Sequence, residues 1–150
     1  MNISGIIQNH VLMTAMAGWF LAQLLKVPVD FLRGHHWNWA LFFAAGGMPS
    51  SHSALVTSTA MAAGLHYGFE SPIFAVAVAV AMIVVYDATG VRRQAGMQAQ
   101  TINILVEELL QGHPISEQHL REVLGHTPLE ALGGVMLGLV VAMGLWLWWR

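Results

Sequence analysis

The sequence predicts an all-α protein, a small polytopic helical bundle with about four membrane-spanning helices. Of its 150 residues, 56% are hydrophobic and only 9% are charged, whereas about 25% of residues are charged in an average soluble domain. Apolar runs near the roughly 20 residues that a bilayer requires alternate with short breaks rich in glycine, proline and serine. These features indicate one integral membrane domain over residues 1–150, with a broken or re-entrant segment before Pro49 and an amphipathic helix in the loop 94–124.

The composition also excludes several classes of function. A formal net charge of -2 argues against nucleic acid as a partner, because proteins that bind it present a basic surface to the phosphates. The chain has no cysteine, so disulfides, thiolate catalysis and cysteine-type zinc sites are excluded. No positive residue precedes the first apolar run and no small-residue cleavage pattern follows it. That pattern favours a retained helix over a signal peptide.

The first apolar run, Gly5 to Leu25, predicts a spanning helix with Ser4 as its N-cap and Lys26 at its far end. The segment from Lys26 to His36 is charged and contains a proline, so we predict a loop there. The next apolar run, Trp37 to Ala45, is too short to span, and its tryptophans suit the membrane interface. We predict a half-helix or a re-entrant piece at that position.

Two further helices are predicted between residues 50 and 90. The first begins with Ser50 or Ser51 as N-cap and continues to about Tyr67, and its many small residues allow other helices to approach closely in lipid. The second begins at Ser71-Pro72, an N-cap followed by proline at the first helical position. Its alanine-, valine- and isoleucine-rich run from Ile73 to about Tyr86 predicts a span.

The last third of the chain predicts one surface helix and one span. Between Gln94 and Gln111, apolar residues recur at helical spacing among polar ones, which indicates an amphipathic helix outside the lipid or lying on it. A short helix is predicted at 117–124. Thr127 as N-cap and Glu130 as its capping-box partner then precede the final span, Leu129 to Trp149.

The positive charges predict the orientation in the membrane, because cytoplasmic loops carry an excess of lysine and arginine. If the segment 37–48 does not cross, one side holds Lys26, Arg33, Arg92, Arg93 and Arg121. We expect that side to be the cytoplasmic face, with both termini on the other. Every candidate polar motif then lies on the cytoplasmic face.

Four polar motifs fall on this predicted face. Lys26 and Arg33 are separated by six residues, and Pro49-Ser50-Ser51-His52 opens a helix between two apolar segments. Asp87 to Arg93 closes another helix, where Asp87 is expected to pair with Arg92 or Arg93. His126 stands four residues before Glu130. Polar groups at membrane depth cost several kcal/mol unless they are satisfied, so a bound phosphate would explain their presence.

Together these motifs resemble the type 2 phosphatidic acid phosphatase family, the PAP2 or lipid phosphate phosphatase superfamily, related to acid phosphatases and vanadium-dependent haloperoxidases. Its signature reads K-x6-R-P, then P-S-G-H, then S-R-x5-H-x3-D. More closely, Gly46 to Ser53, Asp87 to Arg93 and His126 to Pro128 resemble the divergent PAP2 branch, small membrane proteins of bacteria and plastids. The resemblance extends from Lys26 to about Gly138, and it implies a bacterial inner membrane or a plastid-type membrane as the location.

The resemblance implies a phosphatase that hydrolyses a phosphomonoester or pyrophosphate on a lipid through a phosphohistidine. In such a site His126 is the nucleophile, Glu130 orients it, and His52 protonates the leaving group. The phosphate-binding residues would be Lys26, Arg33, Ser50, Ser51, Arg92 and Arg93. Arginine forks, a lysine and a helix N-terminus suit the charged oxygens of a phosphoryl group. No metal or other cofactor is implied.

The sequence departs from the signature at three matched positions. Gly34 stands where the family has the proline of K-x6-R-P, and Ser51 replaces the glycine of P-S-G-H. Glu130 replaces the aspartate but keeps the carboxylate. Glu130 also suits a capping box by itself, and the two roles are compatible.

The arginine of the third motif is the largest departure. Arg121 lies five residues before His126, one short of the family spacing, and Leu120 stands in place of the serine. Either Arg121 or the pair Arg92 and Arg93 therefore completes the phosphate site. We favour the pair, because it sits at the mouth of a spanning helix.

Two other functions fit the same residues. One is a non-catalytic membrane protein that binds anionic lipid or a partner through the same cationic pocket. The other is a metal-dependent membrane enzyme or transporter that uses the eight histidines and Asp87. A homodimer is also expected, because four spans are few to enclose a site and Gly134 and Gly138 allow close helix pairing.

Overall fold

The computed structural model describes residues 4–34, 37–43, 46–110 and 125–150. Within these ranges all regular structure is helical, which confirms the predicted fold class there. The α-helices are α1 (Ser4–Ile7), α2 (His10–Leu32), α3 (Ser51–Tyr67), α4 (Pro72–Thr89), α5 (Val91–Leu110) and α6 (Pro128–Trp149), and a short 3₁₀ helix, Trp39–Phe42, precedes α3.

Among the described residues, three stretches are long and apolar enough to cross a membrane, namely His10–Leu32, Pro72–Val106 and Pro128–Trp149. They contain α2, α4 with most of α5, and α6. The fourth predicted span, α3, has 17 residues and packs against α2, α4 and α6. Its buried positions hold only alanine, serine and glycine. Spanning by α2, α4 and α6 therefore agrees with the prediction, whereas spanning by α3 stays a prediction.

Helix α2 differs from the predicted first span at both ends. It begins at His10, where the side chain of Asn9 accepts a hydrogen bond from Leu12 N at 3.1 Å. It continues through Pro28 to Leu32, so the prediction of a loop directly after Lys26 was wrong. Proline removes one backbone donor, and in apolar helices neighbouring groups compensate for that loss. Lys26 consequently lies on the helix with 1% of its surface exposed, instead of marking the helix end.

The predicted starts of α3, α4 and α6 are confirmed by their capping hydrogen bonds. Ser50 caps α3 by accepting from Ser53 N at 3.3 Å, and Ser71 caps α4 in the same way. Thr127 and Glu130 form the predicted capping box at the start of α6. Each cap satisfies a backbone donor that a helix start leaves without a partner, which explains why these helices begin where they do.

Helix α3 is the centre of the bundle because small residues allow α2 and α6 to approach its backbone. A Cβ atom placed on Gly138 of α6 would lie 2.8 Å from Ala54 O and 3.0 Å from Ser58 N. Gly18 of α2 faces the Ser58 side chain in the same way. Close packing of this kind holds helices together in lipid, where the hydrophobic effect does not drive one helix against another.

An aromatic cluster joins α2, α3 and α6 at the end of the bundle far from Lys26. The His10 ring stacks on Trp149 with centroids 4.5 Å apart, and the His66 ring meets the edge of His10 at 5.2 Å. Arg150 lies over the Trp146 ring at 4.8 Å. Amphipathic rings of this type favour a membrane interface, so the cluster marks the face opposite to Lys26.

The segment before α3 packs against α2 through one hydrogen bond and one aromatic contact. Gln23, a buried residue of α2, donates from Nε2 to Phe42 O at 2.9 Å, and the Phe20 and Phe42 rings meet edge to face. Within residues 37–43, the apolar run that was predicted to be a half-helix or a re-entrant piece forms a single 3₁₀ turn. The re-entrant path of the segment stays a prediction.

Helix α5 confirms a helix in the first part of the 94–124 loop. It starts at Val91, separated from α4 by Gly90 alone, and three residues before the predicted start. Among the described elements it packs against α4 alone. Met97, Ile102 and Leu105 are among its exposed apolar residues, as an amphipathic helix near lipid requires. The short helix predicted at 117–124 lies outside the described residues.

Candidate functional site

The candidate site lies where α3 begins, α4 ends and α6 begins. His126 N donates to Ala88 O at 3.0 Å, and Ser50 N donates to Glu130 O at 3.0 Å. The first bond fixes His126 against the last turn of α4, and the second joins the start of α3 to the first turn of α6. Ala88 was absent from the sequence-based site because a backbone carbonyl leaves no signal in residue type.

His126 and Glu130 form the central contact of this site. His126 Nδ1 lies 3.3 Å from Glu130 Oε2, and their side chains are 5% and 19% exposed. The same oxygen accepts from Thr127 N at 3.0 Å. Glu130 therefore caps α6 and orients the imidazole at once. Because Nδ1 contacts the Glu130 carboxylate, any reaction of the His126 ring would take place at Nε2.

His52 is the second histidine of the site. It lies in the first turn of α3, and its ring centroid is 6.2 Å from that of His126, with the planes tilted by 57°. His52 is exposed, whereas His126 is buried. The two imidazoles therefore lie close together, one exposed and one buried, where α3 and α6 begin.

Lys26 reaches the site from α2, underneath the loop that leads into α3. A Cβ atom placed on Gly47 would lie 3.8 Å from Lys26 Cδ and 3.9 Å from Cγ. Glu130 is the carboxylate that acts electrostatically on the Lys26 ammonium. A buried charge requires compensation, and the Glu130 carboxylate contributes to it at Lys26.

We expect Gly47→Ala to destabilise the loop above Lys26. Gly47 has φ of +91°, a conformation that costs a residue with a Cβ atom about 1–3 kcal/mol. Thermal unfolding in detergent should show the loss. Gly46→Ala is the matched control, because Gly46 has no positive φ and a Cβ atom there meets nothing within 4 Å. Equal stability of the two variants would contradict the role given to Gly47.

Ser50 and Ser51 are both buried at the start of α3. The Ser50 hydroxyl accepts from Ser53 N at 3.3 Å and from Ser53 Oγ at 3.1 Å. Both of its lone pairs are then occupied, and its own proton remains available to donate. The structure thus places Ser50 beside the site as an N-cap, and phosphate binding by Ser50 and Ser51 stays a prediction.

The structure describes the side chains of only two of the four arginines considered for the site. Arg33 is exposed and donates from Nη2 to Met48 Sδ, which places its guanidinium beside the loop that leads into α3. Arg93 is exposed in the first turn of α5. The side chain of Arg92 and all of Arg121 lie outside the described part of the chain. The arginine that completes the site therefore stays a prediction.

The histidines were also considered as metal ligands. In the ranges that the structure describes, no three His, Asp or Glu side chains come together. The described histidines form two pairs at opposite ends of the bundle, His10 with His66 and His52 with His126. The remaining four, His35, His36, His113 and His119, lie outside the described ranges.

Comparison with known proteins agrees with the motifs. The model of the Divergent PAP2 family matches residues 7–141. The chain is 36% identical to the protein named Uncharacterized membrane protein YuiD of Bacillus subtilis (strain 168), and the alignment covers 93% of this chain and 96% of that protein. No solved structure matches. With its three apolar helices, the chain is a membrane protein, and it belongs to the divergent PAP2 family.

Proposed function

We propose that the protein is an integral membrane phosphatase that hydrolyses a phosphomonoester or pyrophosphate on a lipid through a phosphohistidine at His126. The observation that carries the proposal is the contact of buried His126 with half-buried Glu130, with Nδ1 of the imidazole 3.3 Å from the carboxylate. A carboxylate behind a histidine fixes its tautomer and stabilises the positive charge that forms when the other nitrogen attacks.

The reaction would proceed in two displacements at phosphorus. In the first, the Nε2 lone pair of His126 forms the N–P bond while the P–O bond to the lipid breaks, and His52 gives its proton to the leaving oxygen. In the second, neutral His52 takes a proton from water as the water oxygen attacks phosphorus. The N–P bond breaks, inorganic phosphate leaves, and both histidines return to their starting states.

The surroundings of His126 support stabilisation of the transition state. Phosphoryl transfer spreads charge over three equatorial oxygens, which favours fixed cations and helix N-termini around them. Lys26 lies buried under the loop before α3, and the first turn of α3 carries His52. Arg33 and the pair Arg92 and Arg93 would add planar donors on the open side.

The position of the site supports a lipid substrate. Lys26, the start of α3 and the start of α6 lie at one end of the bundle, and the aromatic cluster around His10 lies at the other, since α3 and α6 run parallel and α2 runs antiparallel to both. A headgroup can therefore enter at the membrane surface while its tail stays in lipid. The charge distribution favours the cytoplasmic face, with α3 as a fourth crossing.

A phosphate-release screen tests the proposal most simply. Detergent-purified protein would be incubated with phosphatidate, lipid pyrophosphates and a soluble phosphate ester, with and without a chelator. We expect release from at least one lipid, inhibition by orthovanadate, and resistance to the chelator. Release from no phosphate substrate would contradict phosphatase activity, and loss of release in chelator would favour the metal-dependent alternative.

A non-catalytic lipid-binding role is the second candidate. The observation that favours it is the burial of His126 and Lys26, which are 4% and 1% exposed. A site that only binds a phosphate needs no path for water to reach it or for a product to leave. Vesicle flotation separates the two functions. Binding to anionic vesicles together with no phosphate release would favour a binding protein.

A further inference from the structure

We propose that the groove between α3, α4 and α6 holds the hydrocarbon tail of the lipid substrate while its phosphate lies at His126. The inference rests on the proposed function and adds the binding surface that selects the tail. The groove is open along one side and has a volume of about 440 Å³. That volume lies within the usual range of roughly 300–1,000 Å³ for ligand sites. The groove is lined by Thr57 of α3, Val135 of α6 and, on α4, Ala81, Met82, Val85, Tyr86 and Thr89.

The groove is continuous with the candidate site. Thr89 directly follows Ala88, whose carbonyl accepts the His126 backbone hydrogen bond. Val135 lies five residues after Glu130 on the same helix. A phosphate held at His126 lies between the end of α4 and the start of α6. The groove is then the adjacent surface for the tail of the same lipid.

The length and direction of the groove fit one leaflet. Ala81 and Thr89 are eight residues apart on α4, about 12 Å at 1.5 Å per residue. Half of the hydrocarbon core of a bilayer is about 15 Å. The groove therefore extends from the level of the site to about the middle of the membrane, the distance that a tail must follow.

The lining is mainly apolar, and its hydroxyl-bearing residues are Thr57, Tyr86 and Thr89. Thr89 donates its hydroxyl proton to Val85 O at 2.9 Å, so the hydroxyl is satisfied within α4 and the methyl group remains for packing. Hydrocarbon gains no hydrophobic energy by leaving lipid for such a surface. Recognition must then come from shape, so the groove selects tails by their length and thickness.

A second, larger groove provides a control. It encloses about 710 Å³ between α2, α3 and α4 and is lined by residues that include Ala15, Thr59, Tyr67 and Ala77. Tyr67 lies next to His66 of the aromatic cluster, so this groove opens at the opposite face of the membrane. A tail that starts at His126 has no direct path into it.

One turn of α4 separates two half-buried alanines that line different grooves, which supplies a matched pair of variants. Ala81→Phe fills the groove next to the site, and Ala77→Phe fills the other. The probe is a long-chain alkyl phosphonate with a photoreactive diazirine at mid-chain, which binds as a phosphate ester does but is not hydrolysed. Adducts would be located by peptide mass spectrometry on the detergent-purified full chain.

We expect wild-type adducts on the α4 peptide from Ala81 to Thr89 and on Val135. Ala81→Phe should lower their yield by about tenfold or more, as extra groups in an apolar pocket do, while Ala77→Phe leaves it unchanged. Adducts confined to the larger groove, an equal effect of both variants, or protection of the groove by a second copy of the chain would overturn the proposal. Adducts in the groove without any phosphate release would leave the tail site standing and contradict the phosphatase instead.

Discussion

Replacing His126 by alanine is expected to lower phosphate release from a lipid phosphate by about 10⁴-fold or more, the scale seen when a nucleophile is removed. The expectation follows from the buried imidazole whose Nδ1 lies 3.3 Å from Glu130 Oε2. Alanine removes the attacking nitrogen and keeps the backbone hydrogen bond from residue 126 to Ala88 O. The variant should therefore remain folded, and circular dichroism with thermal unfolding checks that. Full phosphate release by folded His126→Ala would eliminate His126 as the nucleophile.

A second pair of variants separates the two roles of Glu130. Glu130→Gln keeps the capping box, because glutamine also serves at that position, but removes the charge behind His126. We expect phosphate release to fall by about 100-fold or more, together with some loss of stability, because the charge near buried Lys26 is also removed. Thr127→Ala breaks the cap, costs about 1 kcal/mol of stability, and leaves the carboxylate on His126. If Thr127→Ala lost as much activity as Glu130→Gln, the contribution of Glu130 to activity would come from its cap on α6. The carboxylate behind His126 would then have no separate role.

The largest expected effect on stability is that of Gly134→Val. A Cβ atom at Gly134 would collide with the backbone carbonyl of Ser50 and lie 2.9 Å from Ser53 Cβ. Backbone atoms relax less than the ends of side chains, so the cost should reach or exceed the usual overpacking range of about 1–3 kcal/mol. Displacing α6 from α3 would also stretch the hydrogen bond between Ser50 N and Glu130 O. We therefore expect loss of both stability and phosphate release.

Gly144→Val is the matched control for that variant. Gly144 lies on the same helix, and a Cβ atom there meets nothing within 4 Å. Its effect on unfolding in detergent should be small, because valine is readily accepted in an apolar helix that faces lipid. If the two variants unfolded at the same temperature, close contact of α6 with α3 would not be what holds the bundle together.

Local chemistry explains why several elements could be predicted from sequence. Ser50, Ser71 and Thr127 each cap a helix at the predicted position, because the side-chain oxygen satisfies a donor within a few residues. His126 and Glu130 are one helical turn apart, so their contact is also local. Local rules failed at Pro28, where packing in the bundle carried α2 on to Leu32.

Contacts between distant segments explain why the remainder could not be predicted. The burial of Lys26 depends on the loop that brings Gly47 over its side chain, and the anchoring of His126 depends on the Ala88 carbonyl. Neither contact is encoded by spacing within one element. The arginine that completes the phosphate site depends in the same way on how α5 and the segment after it lie against α6.

Direct detection of the phosphohistidine tests the central claim. The protein would be mixed with a ³²P-labelled lipid phosphate, quenched in alkali within one turnover, and digested for mass spectrometry. We expect alkali-stable label on the peptide that contains His126, accumulating further in His52→Ala, and none in His126→Ala. Label on another residue, or phosphate release from the lipid without any labelled protein, would contradict the mechanism.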